Sequence, residues 1–209
     1  MPFPMVHYYI AHELTIDVKI NDLKQFYLGI LATDAYNQNN GISSNRNTSH
    51  LFVDDPNDWE KNVLGFMEKY KFIDKKWYFI GYGVHILTDI YWEDMIYRPF
   101  RQNYQLKDTS LAASRKAYIT DMTMIDLWLY RNCKFKEDIW AYLSEGECLD
   151  VENLITKEQI ILERDFTLKW YDNKKEQIIG NYEYISLTQV LEFIQSSKKY
   201  IINKIQNII

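Results

Sequence analysis

The chain has 209 residues, nearly half of them apolar and a quarter charged, with 17 Tyr, 10 Phe and 6 Trp. That length supports one sizeable core and is short for two, and the apolar content excludes a disordered polymer. A formal charge of −5 excludes a broad basic face for nucleic acid or an anionic membrane, so an anionic substrate has to meet a local positive centre such as a metal.

Glycine and proline are scarce, at 7 and 4, and apolar residues recur at helical spacing through most of the sequence, which makes the expected fold all-α. The N-terminus, Met1-Pro2-Phe3-Pro4-Met5-Val6-His7, has no basic region followed by a long apolar one, so it does not read as a secretory signal. Helices are expected near 5–14, 21–36, 58–70, 75–97, 108–131, 135–145, 155–171 and 186–208. Asn21-Asp22, Asp58, Asp108-Thr109 and Ser186 are placed to cap the helices that follow them. Between the second and third helices, residues 37–49 form one long polar stretch, read as a loop. Cys133 and Cys148 match no zinc or redox spacing and read as thiols of a reducing compartment, for which the cytoplasm fits best. The last helix sets Val190, Ile194, Ile201 and Ile205 on one side and Lys198, Lys199 and Lys204 elsewhere, an amphipathic pattern expected to pack on the domain. No stretch is long and apolar enough to span a bilayer. One domain, 1–209, is expected, with a metal-binding part at about 5–97 and a helical part at about 108–209 that offers no recognisable chemistry.

The chemistry concentrates early. In Gly81-Tyr82-Gly83-Val84-His85-Ile86-Leu87-Thr88-Asp89, His85 and Asp89 are four apart on a helix and project side by side, as two ligands of one metal need. Two glycines inside a helix cost about 1 kcal/mol each against Ala, so a close backbone or a site is expected to need the room. The other histidines are His7, His12 and His50, so all four precede residue 86. His7 and His12 are five apart and share a helix face poorly, and His7 is the one expected at the site. Asp34 ends an apolar helical stripe where the long loop begins and His50 closes that loop, so the two bracket it and can approach each other.

These residues resemble the zinc-dependent phospholipase C family, whose fold is shared by zinc nucleases that cut single-stranded nucleic acid. The resemblance covers about 5–97 and rests on Val6-His7-Tyr8, on Leu28-Gly29 leading to Asp34, on Ser49-His50-Leu51 and on Gly81-x-x-x-His85-x-x-x-Asp89. It implies a multi-helix bundle with the metal site between helices. It also implies that Asp34, His50, His85 and Asp89 bind one zinc, with Asp89 bridging to a second ion at His7. The family's third site takes two further histidines that this chain lacks; Glu93, Asp94, Asp121 and Asp126 lie near the corresponding stretches and offer carboxylates instead. The family also uses a processed N-terminal amine as a ligand, whereas here Met1 stands six residues before His7. The expected activity is hydrolysis of a phospholipid or small phosphodiester by metal-activated water, with one or two zinc ions. Asp34 is expected to orient or deprotonate the water and Arg46 to grip a phosphate oxygen. Tyr8, Tyr82 and Trp92 are candidates to line a cleft. Nucleic acid is the least favoured substrate, and the competing reading is a non-catalytic metal-binding or scaffold protein with a reduced site.

Overall fold

Apolar residues at helical spacing need another helix to cover them, and the computed structural model, which describes residues 1–37, 45–105, 110–174 and 182–209, answers with helices throughout. They are α1 (Pro4–Asp17), α2 (Leu23–Ala32), a short α3 (Arg46–Ser49), α4 (Pro56–Tyr70), α5 (Lys76–Trp92), α6 (Arg98–Gln105), α7 (Leu111–Asn132), α8 (Lys136–Glu145), α9 (Lys157–Asn173) and α10 (Leu187–Ile205). Among the described residues no strand forms, only a single antiparallel bridge between Val151 and Ile155. None of these helices is long and apolar enough to cross a membrane.

The fold is organised around α5. Its sequence is apolar on every face, and nearly all its residues, from Trp77 to Trp92, are buried. It packs on α2, α4 and α10, while α1 lies against α7 and α10, and α9 against α2. The closest approach is between α2 and α5. A Cβ added to Gly29 would stand 2.0 Å from the Tyr78 carbonyl oxygen, and one added to Gly81 would stand 2.1 Å from that of Phe26. Only a hydrogen in place of a side chain lets two backbones come so close. Gly83 answers to a different neighbour, the flexible end of Met67, 2.4 Å from its added Cβ.

Several boundaries differ from expectation for identifiable reasons. The expected helix 75–97 is regular only to Trp92; Glu93–Tyr97 is a π-helical turn, and α6 follows. Pro99 is the physical cause: its ring would meet the carbonyl of Met95 and it has no N–H to give, so the ladder loosens just before it. Asp22 and Ser186 cap as expected, accepting from the amides of Gln25 and Gln189. For α4 the cap is Asp55, three residues before Asp58, with Pro56 at the first helical position. For α7 it is Ser110; Asp108-Thr109 lie outside the described residues. Of the expected loop 37–49, residues 38–44 also lie outside them, and its end is α3. On α10, Val190, Ile194, Ile201 and Ile205 are buried against the fold, and Lys198 and Lys204 pair with Asp17 and Glu60 at 2.8 and 2.6 Å. Cys133 and Cys148 are both free and buried.

Candidate metal centre

His85 lies one turn beyond Gly81 on α5, so the close α2–α5 contact fixes it. Its Nδ1 is 2.8 Å from the carbonyl oxygen of Ile30, next to Gly29. A carbonyl can only accept, so Nδ1 carries the hydrogen and Nε2 is left with a lone pair. His50 is held from another element, where its Nδ1 is also 2.8 Å from the Ser49 hydroxyl. Asn45 caps α3 by accepting from Thr48, and the helix closes with Leu51 N–H to the Thr48 carbonyl and Phe52 N–H to that of Asn47. That ending puts Leu51 at φ 52°, left-handed backbone where glycine is usual. Within it, His50 Nδ1 lies 3.0 Å from the Arg46 carbonyl, and the Trp59 indole donates to the carbonyl of His50 at 2.7 Å. His7 comes from α1, Asp34 from the 3-10 turn Thr33–Asn37 that ends α2, and Asp89 from one turn after His85.

The structure brings all five together. His50 Nε2 is 3.5 Å from Asp34 Oδ1 and 3.3 Å from Asp89 Oδ2. His85 Nε2 is 3.8 Å from Asp34 Oδ2 and 3.7 Å from Asp89 Oδ2, and His7 Nε2 is 3.6 Å from Asp89 Oδ1. His7 stacks on His85 with ring centres 3.8 Å apart. These separations exceed hydrogen-bond lengths, yet they suit ligands of a shared ion: donors about 2.0–2.1 Å from a tetrahedral zinc stand roughly 3.4 Å apart. Among the described residues two groups could hold a metal ion, His7 with His85 and Asp89, and Asp34 with His50 and His85.

The polar accounting points the same way. Both ring nitrogens of His7, the Nε2 of His50 and of His85, and both oxygens of Asp89 are buried without a hydrogen-bond partner; among the described residues the only other such side-chain atom is Trp140 Nε1. Each orphan costs about 1–3 kcal/mol, so six of them on four neighbouring side chains call for a partner. Burial pushes the His7 and His85 imidazoles down, keeping them neutral. Burial also opposes ionising Asp89, but the surrounding imidazoles, His50 first, outweigh it and hold the carboxyl well below the usual carboxylate range. Neutral imidazole with ionised carboxylate is the protonation state a metal takes.

Around the five, Arg46 reaches in: its Nη2 is 3.6 Å from Asp89 Oδ2 and also contacts Met1 Sδ. Met1 lies close by. Its carbonyl accepts from Tyr118, and its amino group, pushed down to about 6 by burial, feels the charges of Asp89 and Arg46. His12 is elsewhere, stacked on Phe135 at 3.6 Å. The carboxylates considered as replacements for imidazoles do not join the two groups. Asp121 accepts from the amides of Glu183, Tyr184 and Ile185; Asp126 accepts from Met5 N–H and the Tyr171 hydroxyl; Asp94 is exposed and pairs with Arg98; Glu93 is half-buried. Tyr82 and Trp92 line no cleft. Both are fully buried, bonded to the Ser49 carbonyl and the Tyr118 hydroxyl.

Against the cluster lies a cavity of about 10 Å³, close to the least that holds one water. His7, Asp34 and His85 form part of its wall with Tyr8, and α9 supplies Glu163 and Thr167. Glu163 is a site residue that sequence reasoning missed. The available signal was its place on a buried stripe, Ile160, Glu163, Thr167, Tyr171, where an apolar residue is the ordinary occupant.

Comparison of the chain with family models, curated proteins and solved structures finds no match. Fold and site thus define an all-α protein with a buried His/Asp cluster that could hold a metal ion.

Proposed function

We propose that the cluster binds one or two zinc ions, and that the protein is a zinc-dependent phosphodiester hydrolase resembling phospholipase C, acting in the cytoplasm on a phospholipid head group or a small phosphodiester. The observation that carries this reading is the clustering of six orphaned buried atoms on the neighbouring side chains of His7, His50, His85 and Asp89. Three imidazoles and two carboxylates form a nitrogen and oxygen donor set that suits zinc. Zinc bound there acidifies a water and polarises a phosphoryl oxygen. The rest of the chemistry belongs to the side chains. His85 keeps its Nε2 lone pair aimed inward through an Nδ1–H bond to the Ile30 carbonyl, and His50 is oriented through its Nδ1 by the Arg46 carbonyl and the Ser49 hydroxyl. Asp34, with a side chain 25 % exposed where those of the other four are buried, faces the open side and orients the attacking water. Arg46, also partly exposed, grips a non-bridging phosphate oxygen through its planar fork.

The test is turnover of bis(p-nitrophenyl) phosphate by protein purified without chelator. Hydrolysis that a chelator abolishes and added zinc restores supports the reading; chelator-insensitive hydrolysis, or none from zinc-loaded protein, contradicts it. The enclosure of the cluster favours a second reading, a non-catalytic metal-binding protein, since a site with every position filled by protein is structural. Zinc-loaded protein that is inert towards phosphodiesters supports that alternative.

A further inference from the structure

A second cavity, an open groove of about 790 Å³, runs along α10 and has none of the five clustered residues in its wall. Its aromatic side is rigid: Tyr91 of α5 stacks on Tyr200 with ring centres 4.5 Å apart, and the Tyr200 hydroxyl donates to Glu60 Oε2 at 2.7 Å. The rest of its wall is one stripe of α10, in which Leu191, Glu192, Gln195 and Lys199 are all exposed. Leu191 is thus a large apolar side chain that the fold leaves in water. The charges of the stripe are also unused. Lys198 and Lys204, elsewhere on the same helix, pair with Asp17 and Glu60, but among the described residues neither Glu192 nor Lys199 has an ion-pair partner. Nor do they pair with each other, because seven residues are two turns, about 10 Å along the axis, and ion pairs on a helix join residues three or four apart.

We propose that this face is a homodimer interface, occupied by α10 of a second copy packed antiparallel about a two-fold axis between Gln195 and Ser196. A two-fold contact has to be self-complementary: what lies a given number of residues before the axis on one copy meets what lies the same number after it on the other. The stripe meets that condition at each step. Gln195 falls opposite Ser196, Glu192 opposite Lys199 and Leu191 opposite Tyr200, each pair equidistant from the axis. The unused charges then form two pairs, one on either side of the axis. Leu191 of the second copy enters the groove against the stacked Tyr91 and Tyr200, so the exposed apolar side chain of each copy is covered by the aromatic pair of the other. At the axis the Ser196 hydroxyl, which donates to the Phe193 carbonyl at 3.0 Å, keeps its lone pairs for the Gln195 amide of the second copy. The charges also select the direction, since parallel helices would set Glu192 against Glu192 and Lys199 against Lys199. The dimer depends neither on a metal nor on the hydrolase reading.

Sedimentation equilibrium of the full chain over a concentration series reads the dimer Kd for wild type, Leu191→Glu, Glu192→Lys, Lys199→Glu and the double variant that carries both charge reversals. All these substitutions stand at exposed positions, so the fold is retained, and circular dichroism checks it. We expect a wild-type dimer that weakens with added salt, because its charge pairs lie at the rim of the contact. Each single reversal turns two attractions into two repulsions and should raise Kd about tenfold or more, while the double variant, with the charges exchanged, should return close to wild type. An equimolar mixture of the two single variants should associate more tightly than either alone, because their heterodimer regains both pairs. Leu191→Glu, which puts a charge into the aromatic groove, should leave the chain monomeric. A wild type that is monomeric throughout the series would overturn the proposal, and so would a dimer indifferent to Leu191→Glu and to both reversals, which would put the interface on another face. A double variant no tighter than the single ones would overturn the antiparallel pairing.

Discussion

His85 is set by a backbone carbonyl, and His50 by a backbone carbonyl together with the Ser49 hydroxyl. Ile30 accepts from the Nδ1–H of His85, which fixes that tautomer and turns its Nε2 inward before any ion arrives, while the Nδ1 of His50 lies between the Arg46 carbonyl and the Ser49 hydroxyl. His12 has no such role: it stacks on Phe135, on a different face of α1 from His7. We therefore expect His50→Ala or His85→Ala to lower bound zinc to a small fraction of the wild-type content, with His12→Ala retaining it. Elemental analysis of the three variants checks this, and equal loss from all three would remove the distinction. The spacing of His85 and Asp89 was legible because it needs only helix geometry, and Asp34 with His50 because they bracket a loop. Glu163 was not legible, because a glutamate on a helix is solvated far more often than buried and only the packing of α9 reveals its side.

At the level of helices, the site depends on how closely α2 and α5 approach. Gly81→Ala would put a Cβ into the Phe26 carbonyl, where a helix backbone and not a rotamer has to give. We expect a loss of about 3 kcal/mol or more together with weakened zinc uptake, because separating the helices carries His85 away from Ile30; Gly83→Ala, which meets only Met67, should cost less. Urea unfolding of both variants measures the difference, and equal costs would contradict it. The sequence suggested that the two glycines answered to a backbone or a site, but which did so could not be read without the neighbouring helix. Farther out, Asp126 of α7 ties α1 and α9 together through Met5 N–H and the Tyr171 hydroxyl, and burial raises its carboxyl to about 7. A pKa raised on folding means that the folded state holds the proton more tightly. Stability from this group is complete below the ordinary carboxyl value of 3.8 and declines as pH rises to about 7. Asp126→Asn should flatten that decline, so the variant gains on wild type between pH 5 and 8 in thermal melts, and an unchanged pH slope would contradict the assignment. The same buried contacts explain why Asp126 and Asp121 are not available to the metal groups: their oxygens are engaged in holding helices and the 183–185 backbone.

Over the whole molecule, the five clustered residues come from the first 89 positions, yet α9 supplies part of the wall of the cavity beside them. The C-terminal part, which carried no recognisable motif, thus contributes to the site through α9, and α10 is packed along α1 and pinned by Lys198 to Asp17 and Lys204 to Glu60. The all-α class was readable from few glycines, few prolines and helical periodicity. The π turn at Glu93–Tyr97 and the extra helix α6 were not, because Pro99 loosens the ladder without breaking the run of helix formers around it. Everything chemical rests on an ion held by the clustered side chains. The measurement to make first is elemental analysis of protein purified without chelator, with metal counted per chain. We expect one or two zinc ions per chain, removed by chelator and recovered on adding zinc; a folded protein that holds no metal and takes up none would contradict the metal centre.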